Sequence, residues 1–304
     1  MIDWKELSNE IRQAMPDLKI LDEEPLARHM SFRIGGPAAI FAQPATVDEL
    51  SKLLRFLAAR GISLRILGAG TNVLAPDEGL REVVICTKDA LTGLCDLGGG
   101  KIEAFAGETL SKTAVFARNL SLTGLEFAHG IPGTVGGGIY MNAGAYGGEI
   151  KDVLTAVTFL DENLHLQTLP VQELQMGYRT SIFERCSWCI LEAEFTLHPG
   201  DAQEIHTAMQ EYMRRRKEKQ PLEYPSAGST FKRPVGQFAG KLIEDCGLRG
   251  FRVGGAAISE KHCGFVVNLG NATCADVVSL TEQVRQIVLE KTGCTLEREI
   301  RVVE

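Results

Sequence analysis

The pattern of apolar and polar positions divides the chain into three blocks. In the first block, leucines recur at helical spacing between a Thr46/Glu49 capping box and Gly61, which predicts a helix over that stretch. Short apolar runs predict strands around it, the second of them buried, over residues 38–43, 64–67 and 83–87. The first block is therefore βαβ-like, with a glycine turn after its second strand.

The second and third blocks also mix helices with strands. In residues 91–198 the spacing predicts one helix over 110–120 and strands over 101–106, 153–159, 164–169 and 188–197, with a glycine-rich loop system between the helix and the second of these strands. An amphipathic helix over 201–219 leads to the third block. There the pattern predicts helices over 238–245 and 275–291, the second between a Thr273/Asp276 cap and Gly293, and strands over 251–258, 264–269 and 295–303.

Composition is that of an ordinary globular protein of about two domains, with 304 residues, 44% of them hydrophobic and 23% charged. The formal net charge of −7 argues against a general surface for nucleic acid or anionic membranes. No run of about 18 apolar residues occurs, and the first nine residues lack a signal pattern. We therefore expect a cytoplasmic protein that binds neither nucleic acid nor a membrane. The eight scattered cysteines are expected to be reduced thiols.

Two glycine clusters give the strongest chemical signal. Eight of the 32 glycines fall between Gly130 and Gly148, where tight turns alone are the alternative explanation. The second cluster, Leu67–Val73, follows an apolar strand, so its main-chain N–H groups could bind an anion. Val73 replaces the third glycine of the dinucleotide fingerprint, and no phosphate-loop motif occurs. The clusters therefore indicate a large cofactor outside the familiar nucleotide folds.

Other motifs give weaker signals. Cys186 and Cys189 have redox-pair spacing but precede a strand, so we expect two thiols at a strand edge. The six histidines lack metal-ligand spacing, so no metal site is expected. His262 is expected in a surface turn, with a pocket lining as the alternative. The basic run over 214–219 predicts a solvated helix face, with phosphate binding by a member such as Lys219 as the alternative.

Three further polar residues, Arg179, Ser229 and Glu299, occur in constrained surroundings, but sequence alone does not bring them together. No serine-hydrolase elbow surrounds Ser229, so a nucleophilic role has little support.

Seven motifs, in order over nearly the whole chain, resemble those of the UDP-N-acetylenolpyruvoylglucosamine reductase (MurB) family. They are Arg33–Gly36, Leu67–Asn72, Gly130–Gly137, Asn142–Tyr146, Gly177–Arg179, Ala227–Ser229 and Glu297–Arg301. The resemblance implies an α+β protein: a vanillyl-alcohol-oxidase-type (PCMH-type) two-part FAD-binding fold plus a smaller α+β substrate domain. The implied division is a first FAD-binding subdomain over 1–90, completed by a C-terminal strand over 295–304, a second subdomain over 91–200, and a substrate-binding domain over 201–294.

The resemblance also implies an activity in peptidoglycan precursor synthesis. Members of this family are flavoproteins in which NADPH reduces FAD, and the flavin then passes a hydride to UDP-N-acetylglucosamine enolpyruvate, giving UDP-N-acetylmuramate. On this basis we expect a UDP-N-acetylmuramate dehydrogenase that works as a monomer or weak homo-oligomer. Two alternatives stay open: a related FAD oxidase or dehydrogenase of a sugar or hydroxy acid, and a non-catalytic module that binds a nucleotide sugar or flavin.

The family roles transfer to matching positions of this chain. Arg179 matches the arginine that stabilises the developing negative charge, and Ser229 matches the proton donor. Glu299 matches the residue that hydrogen-bonds the substrate carboxylate if protonated and otherwise assists proton delivery. The residues expected to contact FAD are Leu67, Gly68, Ala69, Gly70, Thr71, Asn72, Val73, Gly130, Ile131, Pro132, Gly133, Gly136, Gly137, Ala143, Gly144 and Ala145.

The expected substrate contacts are Tyr178, Lys219 and Arg233, the last two at the diphosphate. The chain departs from the longer family branch in two places. The stretch from Arg179 to Trp188 lacks the insertion that carries a tyrosine over the substrate, and Arg233 stands where longer-branch relatives commonly have Asn. The chain thus resembles the shorter branch, and its sequence does not identify the segment that closes over the substrate.

Overall fold

The structure, a computed structural model, describes residues 2–303 and divides the chain into two compact units. Unit 1 consists of Met1–Asp22, Ala39–Ala69 and Glu82–Arg215, and unit 2 of Glu23–Ala38, Gly70–Arg81 and Arg216–Glu304. Met1 and Glu304, which end the predicted domain ranges, lie outside the described residues. The three-part domain division stays a prediction.

Seven helices and nineteen strands are formed by the described residues. The helices are α1 (Trp4–Ala14), α2 (Val47–Ala58), α3 (Leu110–Asn119), α4 (Val135–Tyr140), α5 (Ala202–Lys219), α6 (Ala239–Asp245) and α7 (Cys274–Thr292). The strands are β1 (Lys19–Pro25), β2 (Pro37–Gln43), β3 (Leu64–Leu67), β4 (Val73–Leu74), β5 (Leu80–Cys86), β6 (Leu94–Gly98), β7 (Lys101–Phe105), β8 (Leu122–Thr123), β9 (Gly144–Ala145), β10 (Gly148–Glu149), β11 (Leu154–Leu160), β12 (Leu166–Pro170), β13 (Cys189–Thr196), β14 (His198–Pro199), β15 (Ser226–Ser229), β16 (Arg252–Val253), β17 (Ala256–Ile258), β18 (Phe265–Asn268) and β19 (Arg301–Val302).

The first predicted block is confirmed in its main features. The Thr46 hydroxyl accepts the Glu49 N–H at 3.1 Å, and all four leucines of the α2 face are buried. β3 and β5 pair in parallel in a sheet of order β1-β2-β5-β3, so β5 lies between the two strands that α2 connects. The expected burial of the 64–67 strand is wrong for Ile66, whose side chain is 36% exposed. Elements α1, β1 and β6 were not predicted.

The largest sheet of unit 1 is antiparallel, with the order β12-β11-β13-β7-β6. Its core residues include Val157, Phe159 and Phe195, which are at most 1% exposed. β11 and β12 pair antiparallel, and residues 161–165 form the turn between them. Helix α4 contacts β13 and β7 of this sheet, and α3 contacts α4. The residues between the two helices are therefore held near the surface of the sheet.

The prediction that residues 127–148 form only loops is wrong, because α4 lies within them. Three of its six residues are glycines, which disfavour helix by about 1 kcal/mol each relative to Ala. Packing overrides that preference. A Cβ on Gly136 would lie 3.0 Å from the Ala106 Cβ, and one on Gly138 would lie 3.1 Å from a methyl carbon of Leu110.

In unit 2, a sheet of order β15-β18-β17-β16 packs with α6 and α7 around an apolar core. The predicted capping box at Thr273 and Asp276 is confirmed, and Gly293 ends α7 in the left-handed conformation at φ 70°. The prediction of one strand over 251–258 is wrong. Gly254, at φ 55°, turns the chain between β16 and β17, which form a hairpin.

The C-terminal strand is shorter than predicted. Only β19 is regular, and it pairs in parallel with β4, joining Arg301 to Val73 and Val302 to Leu74. The residues just before it bridge to the chain after β15, where Phe231 faces Arg298. The C-terminal segment of unit 2 is thus held between two other segments of the same unit.

Candidate functional site

The two glycine clusters of the sequence meet in unit 1. A Cβ atom on Gly68 would lie 2.5 Å from the Thr134 hydroxyl oxygen, so no side chain fits at residue 68. The turn after β3 therefore lies directly against the start of α4. Such bare main chain is where a protein brings its backbone closest to a phosphate group or flat ring. The residues present fit FAD, with Leu67–Ala69 and Gly130–Gly137 as segments that would hold it.

The first two N–H groups of α4 are already paired within the protein. Val135 donates to the Glu108 carbonyl at 2.8 Å, and Gly136 donates to the Ala106 carbonyl at 2.9 Å. These two N–H groups are used within the fold, and the side of Gly136 that lacks a side chain packs against Ala106. The Leu67–Ala69 turn is the better candidate for binding phosphate.

The second half of the same loop, Gly70–Val73, lies in unit 2. Gly70 has φ 60°, and a side chain there would collide with the main-chain carbonyl of His29. The Asn72 side-chain amide donates to the Glu299 carbonyl at 3.1 Å. The predicted cofactor loop is thus fixed at this end to the segment that carries a predicted catalytic residue.

Arg179 is held in unit 1 by main-chain carbonyl groups. Its Nη2 donates to the Gly144 carbonyl at 2.8 Å and its Nη1 to the Asn142 carbonyl at 3.4 Å. Its guanidinium also lies over the Tyr178 ring, 4.9 Å from the centroid. Because carbonyl oxygens are neutral, these two bonds orient the guanidinium without neutralising its charge. Arg179 itself is a left-handed residue, at φ 56°.

Asn142 is the buried polar centre of the same region. Its Nδ2 donates to the Gly177 carbonyl at 2.8 Å and to Glu149 Oε2 at 3.0 Å, while its Oδ1 accepts the Lys151 N–H at 3.0 Å. Asn142 is fully buried, so losing any partner would leave a costly unpaired group. It ties the glycine-rich loop to the turn that presents Arg179.

Ser229 and Glu299 lie on adjacent segments of unit 2. Ser229 is the exposed last residue of β15. The Glu299 N–H donates to the carbonyl of Thr230, the next residue after Ser229, at 2.8 Å. The structure therefore brings two of the three predicted catalytic residues together within one unit. Arg179, the third, belongs to unit 1.

The predicted substrate contacts are all exposed side chains. Tyr178 is 45% exposed. Lys219 is the last residue of α5, and Arg233 lies over the ring of Phe238 at 4.1 Å from its centroid. In the basic run, Arg214 and Arg215 pair with Glu211, each at 2.7 Å, and hold the pKa of that carboxyl near 2. The first part of the run thus has the predicted character of a solvated, ion-paired helix face.

His262 is partly buried in unit 2. Its Nδ1 accepts the Gly264 N–H at 3.0 Å, so that nitrogen carries no proton. Burial lowers the pKa of its imidazole, and the nearby Arg249 and Lys219 lower it further. Burial raises the pKa of the Cys189 thiol to about 12. The Cys186/Cys189 spacing therefore does not mark a reactive thiolate at residue 189.

Thr134, Asn142 and Tyr212 were not predicted to have a role, although each has a specific contact near the site. Thr134 caps α4, and a Thr before a short apolar run is a signal that could have revealed it. The partners of Asn142 and Tyr212 are distant in the sequence, and no local pattern indicates them. Among residues 2–303 the structure contains no cluster of three metal-binding side chains and no helix long and apolar enough to cross a bilayer.

Two family models match the chain. The "FAD binding domain" model matches residues 38–169, which include the contact of Gly68 with Thr134. The model for "UDP-N-acetylenolpyruvoylglucosamine reductase, C-terminal domain" matches residues 220–303, which include both Ser229 and Glu299. The two matched ranges do not overlap.

Relatives with this name match almost the whole chain. The UDP-N-acetylenolpyruvoylglucosamine reductase of Caldanaerobacter subterraneus subsp. tengcongensis is 48% identical over 297 residues, covering 98% of each chain. That of Lachnoclostridium phytofermentans is 46% identical over 298 residues, covering 97% of this chain and 96% of the relative.

A solved structure agrees with the sequence relatives. The crystal structure of the reductase from Thermus caldophilus is 34% identical, with a TM-score of 0.77, and covers 94% of this chain and 99% of that one. With the FAD-binding model, it confirms the predicted two-part FAD-binding fold. From its sequence relatives, its domain models and its fold together, the chain belongs to the UDP-N-acetylenolpyruvoylglucosamine reductase family.

Proposed function

We propose that this chain is a flavoprotein reductase that uses NADPH to convert UDP-N-acetylglucosamine enolpyruvate into UDP-N-acetylmuramate for peptidoglycan synthesis. The observation that carries the proposal is the near-complete match to reductases of this name, in which the FAD-binding model covers both glycine loops of unit 1. The reaction is a two-electron reduction of a carbon–carbon double bond. NADPH and one proton are consumed, and the enolpyruvyl ether becomes a lactyl ether.

When bound, FAD would supply a two-electron hydride carrier between NADPH and the methylene carbon of the substrate. The chain holds it through the predicted contacts, which comprise Leu67–Val73, Gly130–Gly133, Gly136, Gly137 and Ala143–Ala145. Within unit 1, the turn after β3 supplies main-chain N–H groups for phosphate, and Gly136 and Gly138 allow α4 to pack closely on Ala106 and Leu110.

Arg179 stabilises the negative charge that develops on the substrate. Addition of hydride leaves an anion on the carbon beside the carboxylate, which spreads into an enediolate. A fixed cation stabilises this anion more than it stabilises the ground state, because the charge grows during the reaction. The two carbonyl groups that hold Arg179 fix its orientation and leave it charged.

Ser229 donates the proton that completes the reduction. A serine hydroxyl is a weak acid, but the enediolate carbon is a strong enough base to accept its proton. The position of Glu299 beside the Ser229 strand supports a role for its carboxyl group, either hydrogen-bonding the substrate carboxylate or assisting the delivery of the proton. Tyr178 contributes to substrate binding, and the cationic side chains of Lys219 and Arg233 bind the diphosphate.

The remaining expectations complete the proposal. The enzyme works in the cytoplasm as a monomer or weak homo-oligomer and binds no nucleic acid, in line with its net charge of −7. Its domains follow the predicted ranges 1–90 with 295–304, 91–200 and 201–294.

The test separates the two half-reactions under anaerobic conditions. NADPH should bleach the flavin of the purified protein, and UDP-N-acetylglucosamine enolpyruvate should restore its colour while gaining two hydrogens by mass. Ser229→Ala should leave bleaching unchanged and slow the recovery by about 10²–10⁴-fold. Ser226→Ala, in the same strand, is the matched control and should behave as wild type.

Two results contradict the proposal. Bleaching by a sugar or hydroxy acid without NADPH would indicate a related FAD oxidase or dehydrogenase. Flavin or nucleotide-sugar binding without any turnover would indicate a binding module.

A further inference from the structure

Arg179 and two non-glycine residues near it have left-handed backbone conformations. Asn142 has φ 44°, Tyr146 has φ 54° and Arg179 has φ 56°. Residues other than glycine rarely adopt this conformation, and they retain it only where their surroundings enforce it. All three lie in one hydrogen-bonded region of unit 1.

Tyr146 occupies a position that suits another residue type. β9 and β10 pair with Ala145 opposite Gly148, so Tyr146 and Gly147 form a two-residue hairpin turn with both φ angles positive. Asn-Gly is the preferred pair for such a turn, because asparagine tolerates the left-handed conformation and tyrosine does not. Turn formation therefore does not explain why tyrosine stands at this position.

The Tyr146 side chain is anchored at both its ring and its hydroxyl. The ring stacks on the Tyr212 ring with centroids 4.5 Å apart and planes 4° from parallel. Its hydroxyl donates to the Tyr212 main-chain carbonyl at 2.9 Å. Tyr212 lies on α5, one and two helical turns after the buried residues Met209 and Ile205. The tip of the hairpin is thus attached to a helix whose inner face is packed in the core of unit 1.

The base of the same hairpin holds Arg179. Gly144, which pairs with Glu149 across the hairpin, supplies the 2.8 Å acceptor for Nη2 of Arg179. The Glu149 side chain accepts a hydrogen bond from Asn142, whose own carbonyl accepts from Nη1. Movement of the hairpin would therefore displace an acceptor that orients the guanidinium. Only one residue separates Gly144 from Tyr146.

We propose that Tyr146 and Tyr212 are positioning residues for Arg179, which act by clamping the β9–β10 hairpin to α5. The inference rests on the proposed function for the role of Arg179, but the clamp itself is a property of unit 1. The strained conformation of Tyr146 is retained because its ring holds the hairpin in the arrangement that fixes the guanidinium.

Tyr146→Asn tests whether Tyr146 acts as a clamp or only as a turn residue. Asn-Gly improves the turn, so the melting temperature should stay equal or rise, while the stack is lost. With the clamp gone, the kcat for reduction of UDP-N-acetylglucosamine enolpyruvate should fall about 10- to 100-fold, because small misplacements of a catalytic group have effects of this size. The rate of flavin bleaching by NADPH is measured alongside and should fall less than kcat, because Gly144 and Ala145 of the hairpin are predicted FAD contacts whereas Arg179 acts only on the substrate.

Tyr212→Leu removes the same stack from the other side and should lower kcat to a similar extent. The double variant should lose no more than the worse single variant, because both changes break one interaction. Tyr212→Phe keeps the ring and the main-chain carbonyl and should retain wild-type activity. Ser121→Asn places asparagine at another exposed left-handed residue and serves as the control for the turn change.

Hydrogen–deuterium exchange supplies a readout that does not depend on turnover. In Tyr146→Asn and Tyr212→Leu, amides of residues 142–149 and 177–181 should exchange faster than in wild type. Exchange in α7 should not change.

Unchanged exchange and kcat in both variants would overturn the clamp. A loss of kcat in Tyr146→Asn alone would also overturn it, because it would mean that Tyr146 acts without Tyr212. If wild type fails to turn over UDP-N-acetylglucosamine enolpyruvate, the proposed function fails, while the exchange experiment still decides whether the clamp exists.

Discussion

The Asn72 side-chain amide donates a hydrogen bond to the main-chain carbonyl of Glu299, 227 residues later in the chain, at 3.1 Å. In the other direction, the Arg301 N–H donates to the Asn72 carbonyl at 3.0 Å. A residue of the predicted cofactor loop thus fixes the backbone of a predicted catalytic residue. Within unit 2 the two predicted functions share one local structure.

Asn72→Ala should destabilise this structure. The variant leaves the Glu299 carbonyl without this donor, so the free energy of unfolding should fall by about 1–3 kcal/mol. Urea denaturation measures the change. Gln283→Ala removes an exposed side-chain amide on α7 and should change the stability by less than about 0.5 kcal/mol. Equal stability of the two variants would contradict the role given to Asn72.

Arg179→Lys tests whether orientation matters in addition to charge. Lysine keeps the positive charge but cannot bind both the Asn142 and Gly144 carbonyl groups with one planar group. We expect reduction of the enolpyruvyl substrate to slow by about 10²–10³-fold, and Arg179→Met to be slower still. Single-turnover kinetics with pre-reduced enzyme measures this step. Arg185→Met, an exposed cation close by in the sequence, should react at the wild-type rate; a similar loss there would mean that the effect is not specific to Arg179.

Gly68→Ala should reduce the retention of FAD. The new Cβ would lie 2.5 Å from the Thr134 hydroxyl oxygen, so the turn after β3 has to move away from α4. The FAD content after purification and the Kd for added FAD measure the effect. Gly61→Ala is a useful comparison, because its Cβ meets no atom within 4 Å and only its left-handed backbone is strained. That variant should lose about 1 kcal/mol of stability and keep its FAD. Full FAD occupancy in Gly68→Ala would contradict the assignment of this turn.

Stability should decrease as the pH falls below about 6.5. Burial lowers the pKa of both His129 and His262 in the folded protein, whereas an unfolded histidine has a pKa of about 6.5. In this range the unfolded state binds more protons, so these residues stabilise the fold above the unfolded pKa and lose that effect as the pH falls through the folded values. Melting temperatures between pH 7.5 and 5.5 report it, with both pH limits chosen to bracket about 6.5.

The variant His262→Gln should flatten this pH dependence, because glutamine can accept the Gly264 N–H without titrating. Adding a His129 substitution should flatten it further. His165→Gln, at a side chain that is 72% exposed, is the control. If the melting temperature of the His262 and His129 double variant depends on pH as strongly as that of wild type, groups other than these two histidines control the loss of stability in acid.

Elements with local signals could be predicted from the sequence. Helix α7 has a capping box, an apolar face and a terminal glycine, and the structure contains all three. Helix α4 was missed because glycine disfavours helices, and close packing against Ala106 and Leu110 is visible only in three dimensions. The hairpin turn at Gly254 was missed because apolar residues continue on both sides of it.

The candidate site shows the same division. The glycine clusters are local features, so a cofactor loop could be predicted there from the sequence alone. The hydrogen bonds from Arg179 to Asn142 and Gly144, and from Asn72 to Glu299, join residues that are distant in the sequence. Family resemblance predicted Arg179, Ser229 and Glu299 as functional residues. It did not provide the contacts that orient them.

Unit 2 is assembled from three separate stretches of chain, which has a consequence for synthesis on the ribosome. Asp77 accepts hydrogen bonds from the first N–H groups of α7, and the partner Cys274 is made 197 residues later. At a translation rate of roughly 5–20 residues per second, Asp77 is synthesised about 10–40 s before these partners. A fragment cut at the limits of the C-terminal family model would lack both early stretches and is not expected to fold autonomously. The nascent polypeptide should therefore complete this unit only after nearly all of it has been translated.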